Sequence, residues 1–272
     1  MKTYSDFELR AEIKKLKKEK RHTEAKRLLL SRIDENFFKK SSVSDDYCSQ
    51  TFTARFTKEL IKLFIQLGEK EKALHAFRQG LKLPHLKRES EIAFSLSIRS
   101  IYPQIAKQYI PEYKIKTIER KVVSKKGKQK FLGKNGKELF VEEIALEYYR
   151  YNGNWHGIWL TPTTESLYFK RLRQTIGLDN YKELTNNVMN NMGHSCNLCY
   201  GAPDLILHKG FIRKIGKSVE VKGLKDKLSA AQLVWIEQFN KLHSEFEVLK
   251  VKEKNKQNNI KTKTLTNATR KF

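Results

Sequence analysis

The sequence predicts an α+β protein, with a helical N-terminal part joined to a smaller C-terminal core of mixed strands and helices. Three observations lead there. Apolar residues recur at helical spacing through roughly the first 112 positions. From Asp204 to Val251 the pattern reads strand, strand, helix, strand. Between Lys114 and Lys137 lysine and glycine dominate and few apolar residues remain, which marks a boundary or an exposed basic loop.

In the N-terminal part, Phe7, Leu9, Ile13 and Leu16, then Ala25, Leu28, Leu29 and Ile33, set out helix over 7–33, broken near Arg21-His22-Thr23. Lys14, Lys15, Lys17, Lys18, Lys20 and Arg21 crowd the same stretch. They suit a phosphate-contacting face, but a solvated helix face is the simpler reading of a charge run. Residues 52–83 read as a helical hairpin. Phe56, Leu60, Leu63, Phe64 and Leu67 form one stripe, Gly68 breaks it, and Ala73, Leu74, Phe77, Leu81 and Leu83 form a second, closed by Pro84. This hairpin resembles one tetratricopeptide unit, and KEKRHTEAKRLLL echoes its second half. The two are about 48 residues apart instead of the ~34 of a tandem array, so no regular solenoid is expected.

Further on, Phe131-Leu132-Gly133 and Asn135-Gly136 suggest a tight turn. Residues 141–151 form a helix with Val141, Ile144, Ala145, Tyr148 and Tyr149 on one side. Residues 155–160 suit a short strand, and 163–192 read as helical and polar. Asp204 to His208 and Ser218 to Lys222 are strands with a hairpin turn from Lys209-Gly210. Ser229 is suited to cap a helix that runs to about Leu242, with Leu233, Ile236 and Phe239 inward. Phe246 to Val251 alternates as a third strand. The last twenty residues, rich in lysine and asparagine, read as a flexible basic tail.

Composition narrows the partners. Lys plus Arg total 55 against 30 acids, net +25, a field that attracts polyanions, with nucleic acid the leading candidate. No run of 18 apolar residues exists, so no membrane span is expected. The charged start, Met1-Lys2-Thr3-Tyr4-Ser5-Asp6, has no apolar signal region, and an intracellular location is expected. Three cysteines are an odd count and argue against a disulfide framework.

The chemistry concentrates in Gly201-Ala202-Pro203-Asp204 and Val219-Glu220-Val221-Lys222-Gly223. Strand residues alternate faces, so Glu220 and Lys222 project together while Val219 and Val221 point into the core. A charged pair in an apolar strand is costly unless paired or bound to metal. Pro203 suits a strand start and puts Asp204 at a strand end, where a neighbouring hairpin strand brings Glu220 beside it. Two close carboxylates make a hard oxygen site for Mg²⁺ or Mn²⁺. Such a metal lowers the pKa of a bound water and offsets charge building on a phosphate. Lys222 is placed to orient that water and stabilise the developing oxyanion.

Gly-Ala-Pro-Asp-Leu-Ile-Leu, Val-Glu-Val-Lys-Gly and Asp226-Lys227-Leu228-Ser229-x-x-Gln232 resemble the VRR-NUC branch of the PD-(D/E)XK nucleases. The likeness extends upstream. Phe131-Leu132-Gly133 and Val141 to Tyr149, preceded by the tetratricopeptide-like hairpin, resemble nucleases of the Fanconi-anaemia-associated family. The resemblance covers roughly residues 52–251. It implies a restriction-endonuclease-like αβββαβ core, one- or two-metal phosphodiester hydrolysis, and a preference for branched DNA such as 5′ flaps, in repair. By motif match it implies Asp204, Glu220 and the Val221 carbonyl as ligands of Mg²⁺ or Mn²⁺ and Lys222 as the catalytic lysine.

In the larger nucleases of that family a metal-binding Glu follows the strand after the tyrosine-rich helix. Here Trp159-Leu160-Thr161-Pro162 holds that place and has no acid. Glu165, one helical turn later, substitutes in one reading. In another it is Glu142, on the preceding helix, where many nucleases of the superfamily put their first acid. The stretch from that strand to Pro203 is also shorter, which bears on the DNA structure accepted. Gln232 reads as a phosphate contact or a group steadying the site. Cys196-x-x-Cys199 with His194 lacks a second ligand pair for zinc, and His156 reads as a structural strand residue. The resulting organisation is a helical platform at 1–115, a basic linker at 116–138, the nuclease domain at 139–252 and the tail at 253–272. A toxin-like or restriction-like DNase, or a non-catalytic DNA-binding protein on the same fold, are the alternatives.

Overall fold

The computed structural model describes residues 6–31, 47–83, 86–124, 129–192, 197–209 and 216–254. The expected tail after Lys254 lies outside them. Helices α1 (Asp6–Lys18) and α2 (His22–Leu30) form one hairpin. Helices α3 (Tyr47–Gln66) and α4 (Lys70–Gly80) form a second, turning at Gly68, whose φ of 76° only glycine adopts freely. Leu9, Ile13, Leu16, Ala25 and Leu29 bury against Phe56, Leu60, Leu63 and Phe77 in one cluster. The break in the first helical stretch falls at 19–21, just ahead of the expected Arg21-His22-Thr23, and His22 already opens α2.

Helices α5 (Arg88–Ile98) and α6 (Pro103–Lys107) then lead into strand β1 (Ile115–Arg120). This strand departs from the expected linker at 116–138. Ile118 buries its side chain, and β1 joins the main sheet as an edge strand parallel to the strand at Phe246–Glu253. Strands β2 (Val122–Ser124), β3 (Lys130–Leu132) and β4 (Glu138–Leu139) make a separate small antiparallel sheet. The expected turn at 133–136 joins β3 to β4, with Gly136 at φ 74°. The stretch is therefore structured on both sides of residues 125–128, because its few apolar residues, Ile118, Val122, Phe131 and Leu139, pack into one cluster.

Next come α7 (Val141–Tyr151), β5 (Trp155–Trp159), α8 (Glu165–Ile176), α9 (Leu178–Asn191), β6 (Leu205–Lys209), β7 (Gly216–Lys222), α10 (Ala230–Lys241) and β8 (Phe246–Glu253). With α8 and α9 set aside as an insertion, the order α7-β5-β6-β7-α10-β8 is the expected αβββαβ core. The sheet order is β1-β8-β7-β6-β5, antiparallel through β5, β6 and β7 and parallel at β7-β8 and β8-β1. The parallel pairing follows from α10, which carries the chain back across the sheet.

Alternation decides what each sheet face carries. Leu205, Leu207, Val219, Val221, Leu249 and Val251 face α7. Ile206 and Val248 face α8, α9 and α10. Helix α10 is buried almost all round: beyond Leu233, Ile236 and Phe239, the residues Val234, Trp235 and Gln238 are also covered. The added cover comes from α5 and α9, and Ile92 of α5 belongs to the same core. Arg88 completes the junction, bridging Glu237 at 2.9 Å and donating to the Tyr109 carbonyl. The helical platform and the sheet domain thus share a core through α5 and α10. Among the described residues no helix is long and apolar enough to cross a membrane.

Candidate active site

The β6-β7 ladder pairs Leu205 with Val219, and one further step sets Asp204 opposite Glu220. Directly opposed residues share a face, so both carboxylates lie on the α8/α10 side. The loop before β6 is fixed on several sides. Tyr168 Oη donates to the Pro203 carbonyl at 2.7 Å, Leu160 N to the Asp204 carbonyl at 2.8 Å, and Trp235 Nε1 to the Tyr200 carbonyl at 3.2 Å. Gly201 permits the approach. Its φ is 76°, and a Cβ there would stand 2.6 Å from that of Ala231. A larger residue would push this loop off the first turn of α10.

Glu220 is 1% exposed. Its Oε1 takes Lys222 Nζ at 2.7 Å and Gln232 Nε2 at 2.5 Å. Among the described residues no donor reaches its other oxygen, Oε2, which is also cut off from water. Asp204 Oδ2 accepts from the Val221 amide at 2.8 Å. A strand residue presents its N–H and C=O to the same edge, so the Val221 carbonyl points to the Asp204 side. Gln232 is itself held by the capping box at the start of α10: Ser229 Oγ accepts from Gln232 N, and Gln232 Oε1 accepts from Ser229 N.

The electrostatics follow from this crowding. Burial first, and then the Asp204 charge, push the Glu220 carboxyl up to about 9, against the pull of Lys222. Burial also raises Asp204, opposed by the Val221 amide. The Tyr168 phenol is held far above its ordinary range by complete burial, with both carboxylates adding to it. A buried carboxylate opposed by a half-buried one forms an electron-rich pair that a cation or a shared proton would relieve.

The structure brings together Asp204, Glu220, Val221, Lys222 and Gln232. It does not bring in a third carboxylate: among the described residues no three His, Cys, Asp or Glu side chains are grouped to hold a metal. Glu165 opens α8, exposed to solvent and beside the Cys199 thiol, which burial and Glu165 push up to about 11. Glu142 stands on α7, which packs against the opposite sheet face. His194 and Cys196 lie outside the described residues. His156 is exposed on β5, stacked on His208 at 5.7 Å. Tyr168 is the neighbour that sequence reasoning missed, since it sits in a polar helical stretch with no motif to flag it. Asp226, whose carboxylate accepts from Gly223 N at 2.9 Å, is a second.

Residues 161–253 match the VRR-NUC domain family. No curated protein is similar enough to match the chain. Among solved structures the chain is similar to paFAN1 bound to DNA with a 2-nucleotide 5′ flap and a gap. The identity is 11% and the TM-score 0.52, over 92% of this chain and 55% of that one. It is also similar to paFAN1 bound to DNA with a 1-nucleotide 5′ flap and a gap, at 11% identity and TM-score 0.50, over 85% of this chain and 55% of that one. The chain spans about half the length of these solved relatives. The α+β fold is thus the one these two structures share, and the segment holding Asp204, Glu220 and Lys222 falls inside the match to the VRR-NUC domain.

Proposed function

We propose that the chain is a divalent-metal-dependent DNA nuclease that hydrolyses phosphodiester bonds at the Asp204–Glu220 site. The carrying observation is the opposed carboxylate pair, Glu220 buried and Asp204 half-buried, next to the Lys222 ammonium. These residues fit a hard cation: the two carboxylates would hold Mg²⁺ or Mn²⁺ with the Val221 carbonyl as a further oxygen donor. Such an ion, when bound, supplies an acidified water and offsets phosphate charge.

The chain's own groups then have distinct tasks. Gln232 and Lys222 fix Glu220 by one oxygen and leave the other aimed at the Asp204 side. Lys222, beside Glu220, is placed to orient an attacking water and to stabilise charge on the phosphate oxygens. Tyr168 fixes the Pro203 carbonyl and, with Trp235, keeps the back of the site dry. Glu165 is the candidate third carboxylate. Its helix, α8, lies on the carboxylate face and carries Tyr168 one turn further on. The net charge of +25 suits phosphate contacts that position DNA without reading its sequence. The paFAN1 structures support a branched substrate with a 5′ flap.

The test is cleavage of labelled flap, nicked, duplex and single-stranded DNA with Mn²⁺, with Mg²⁺ and with chelator. Metal-dependent cutting with preference for the flap is expected. It should vanish in D204N, E220Q and K222A, with K222A still showing a Mn²⁺-induced rise in Tm. Cutting by D204N or E220Q at wild-type rate would overturn the assignment.

A further inference from the structure

A concavity of about 760 Å³ lies between α1 and α3, away from the carboxylates. Its walls follow from helical spacing. Phe7, Arg10, Lys14 and Lys17 fall at intervals of three and four on one face of α1, beside the buried stripe of Leu9, Ile13 and Leu16. Arg55, Lys58 and Glu59 do the same on α3. Glu59, the acid among these lining residues, is already engaged by Lys17 at 2.6 Å and Lys62 at 3.2 Å. Among the described residues no carboxylate pairs with Arg10, Lys14 or Lys58. Burial and the nearby Lys62 push the Lys58 ammonium down, against the pull of Glu59 and Glu89. At the mouth stands Phe7, 82% exposed and therefore unexplained by packing.

The groove also has a direction. Arg55 is close enough to Tyr200 to act on its phenol, and Tyr200 donates to Glu89 at 3.3 Å. Tyr200 is four residues before Asp204, at most about 14 Å along the chain. The Arg55 end of the groove is therefore the end nearer the loop from Tyr200 to Asp204.

We propose that this groove is a binding site for a short single-stranded nucleic-acid segment, its phosphates on Arg10, Lys14 and Lys58 and a base stacked on Phe7. Rows of cations with an aromatic platform are how single strands are held without sequence reading. The concavity is of small-ligand size. Its being the strand that leaves the cut rests on the nuclease reading; the binding itself does not.

The test uses the full chain in chelator with a fluorescein-labelled hexathymidylate, read by anisotropy at about physiological salt, where phosphate contacts are salt-dependent. R10E/K14E should bind more than about tenfold more weakly. F7A, a change at an exposed position that leaves the fold intact, should lose about fivefold, the worth of one base stack. K107E/K241E, carrying the same charge change on exposed residues elsewhere, should lose less than about twofold. Groove variants that bind like this control would overturn the site. So would a hexaglutamate peptide that competes as strongly as the oligonucleotide and depends equally on Phe7, since the groove would then be a dock for acidic peptides. Cleavage of flap DNA with Mn²⁺ is measured alongside. Groove-dependent binding by a chain that cuts nothing keeps this site and refutes the nuclease reading. Cutting with groove variants equal to the control does the reverse.

Discussion

Gln232 Nε2 donates to Glu220 Oε1 at 2.5 Å, from the same residue whose Oε1 caps the start of α10. The helix terminus and the buried carboxylate are therefore coupled through a single side chain. In Q232A the capping box is halved, at a cost of about 1 kcal/mol, and the protein should stay folded. Glu220 should lose its fixed orientation, lowering cleavage by about tenfold or more and moving the Mn²⁺ dependence to higher concentration. Initial rates across a Mn²⁺ titration measure this. A wild-type titration curve would mean that Lys222 alone holds Glu220.

Protonation of Glu220 gives a second prediction, for the metal-free protein. Its folded pKa, about 9, lies above the ordinary 4.5, so the folded state prefers the protonated form. That preference is fully present below about pH 4.5 and is lost as pH rises through about 9. Wild type in chelator should therefore melt lower at about pH 9 than at about pH 6, while E220Q, already neutral, should show a flatter profile. Mn²⁺ should restore wild type at the higher pH and leave E220Q unmoved. Thermal melts across pH decide it, and identical profiles for the two proteins would show that Glu220 ionises freely.

A third acid is tested by E165A and E142A. Glu165 opens α8, which packs on the sheet face of the carboxylate pair, so E165A should cut more slowly and need more Mn²⁺. Glu142, on the helix behind the sheet, should behave as wild type. Two normal mutants would establish that Asp204 and Glu220 suffice, with waters completing the shell.

The α5–α10 junction yields a stability prediction. Ile92 is fully buried against α10. I92A should cost about 2–5 kcal/mol, as other large-to-small core changes do. Because α10 carries Gln232, cleavage should fall in parallel. Denaturant unfolding should remain one transition for both parts of the chain. Two separated transitions would show that the platform and the sheet fold independently.

Much of this architecture was legible in the sequence, for identifiable reasons. The Val219-Glu220-Val221-Lys222 alternation reports a strand with one face charged, and the ladder register turns that into opposed carboxylates. Ser229 and Gln232 announce a capping box, and Gly68 a helix break. The strand β1 was hidden, because its residues Ile115 to Arg120 include four polar ones and a single buried apolar side chain, Ile118. The near-complete burial of α10 was equally invisible: Val234 and Trp235 face α5 and α9, which are distant in sequence. Tyr168 reaches the site through tertiary placement of α8 alone. The third carboxylate stayed open because a helix-borne acid carries no local signature of where its helix will dock.

The parallel pairing of β1 with β8 has a consequence for how the chain reaches this state. Ile115 sits beside Val248, so the outer seam of the sheet joins segments more than a hundred residues apart. During synthesis the helical hairpins, whose contacts are local, are free to form early, while β1 waits for a partner that emerges near the end. Until β8 arrives, β7 has an open flank beside its two buried valines, a template for pairing with other chains. Loss of β8 should therefore show first as self-association of nascent or truncated chains, before any question of catalysis arises.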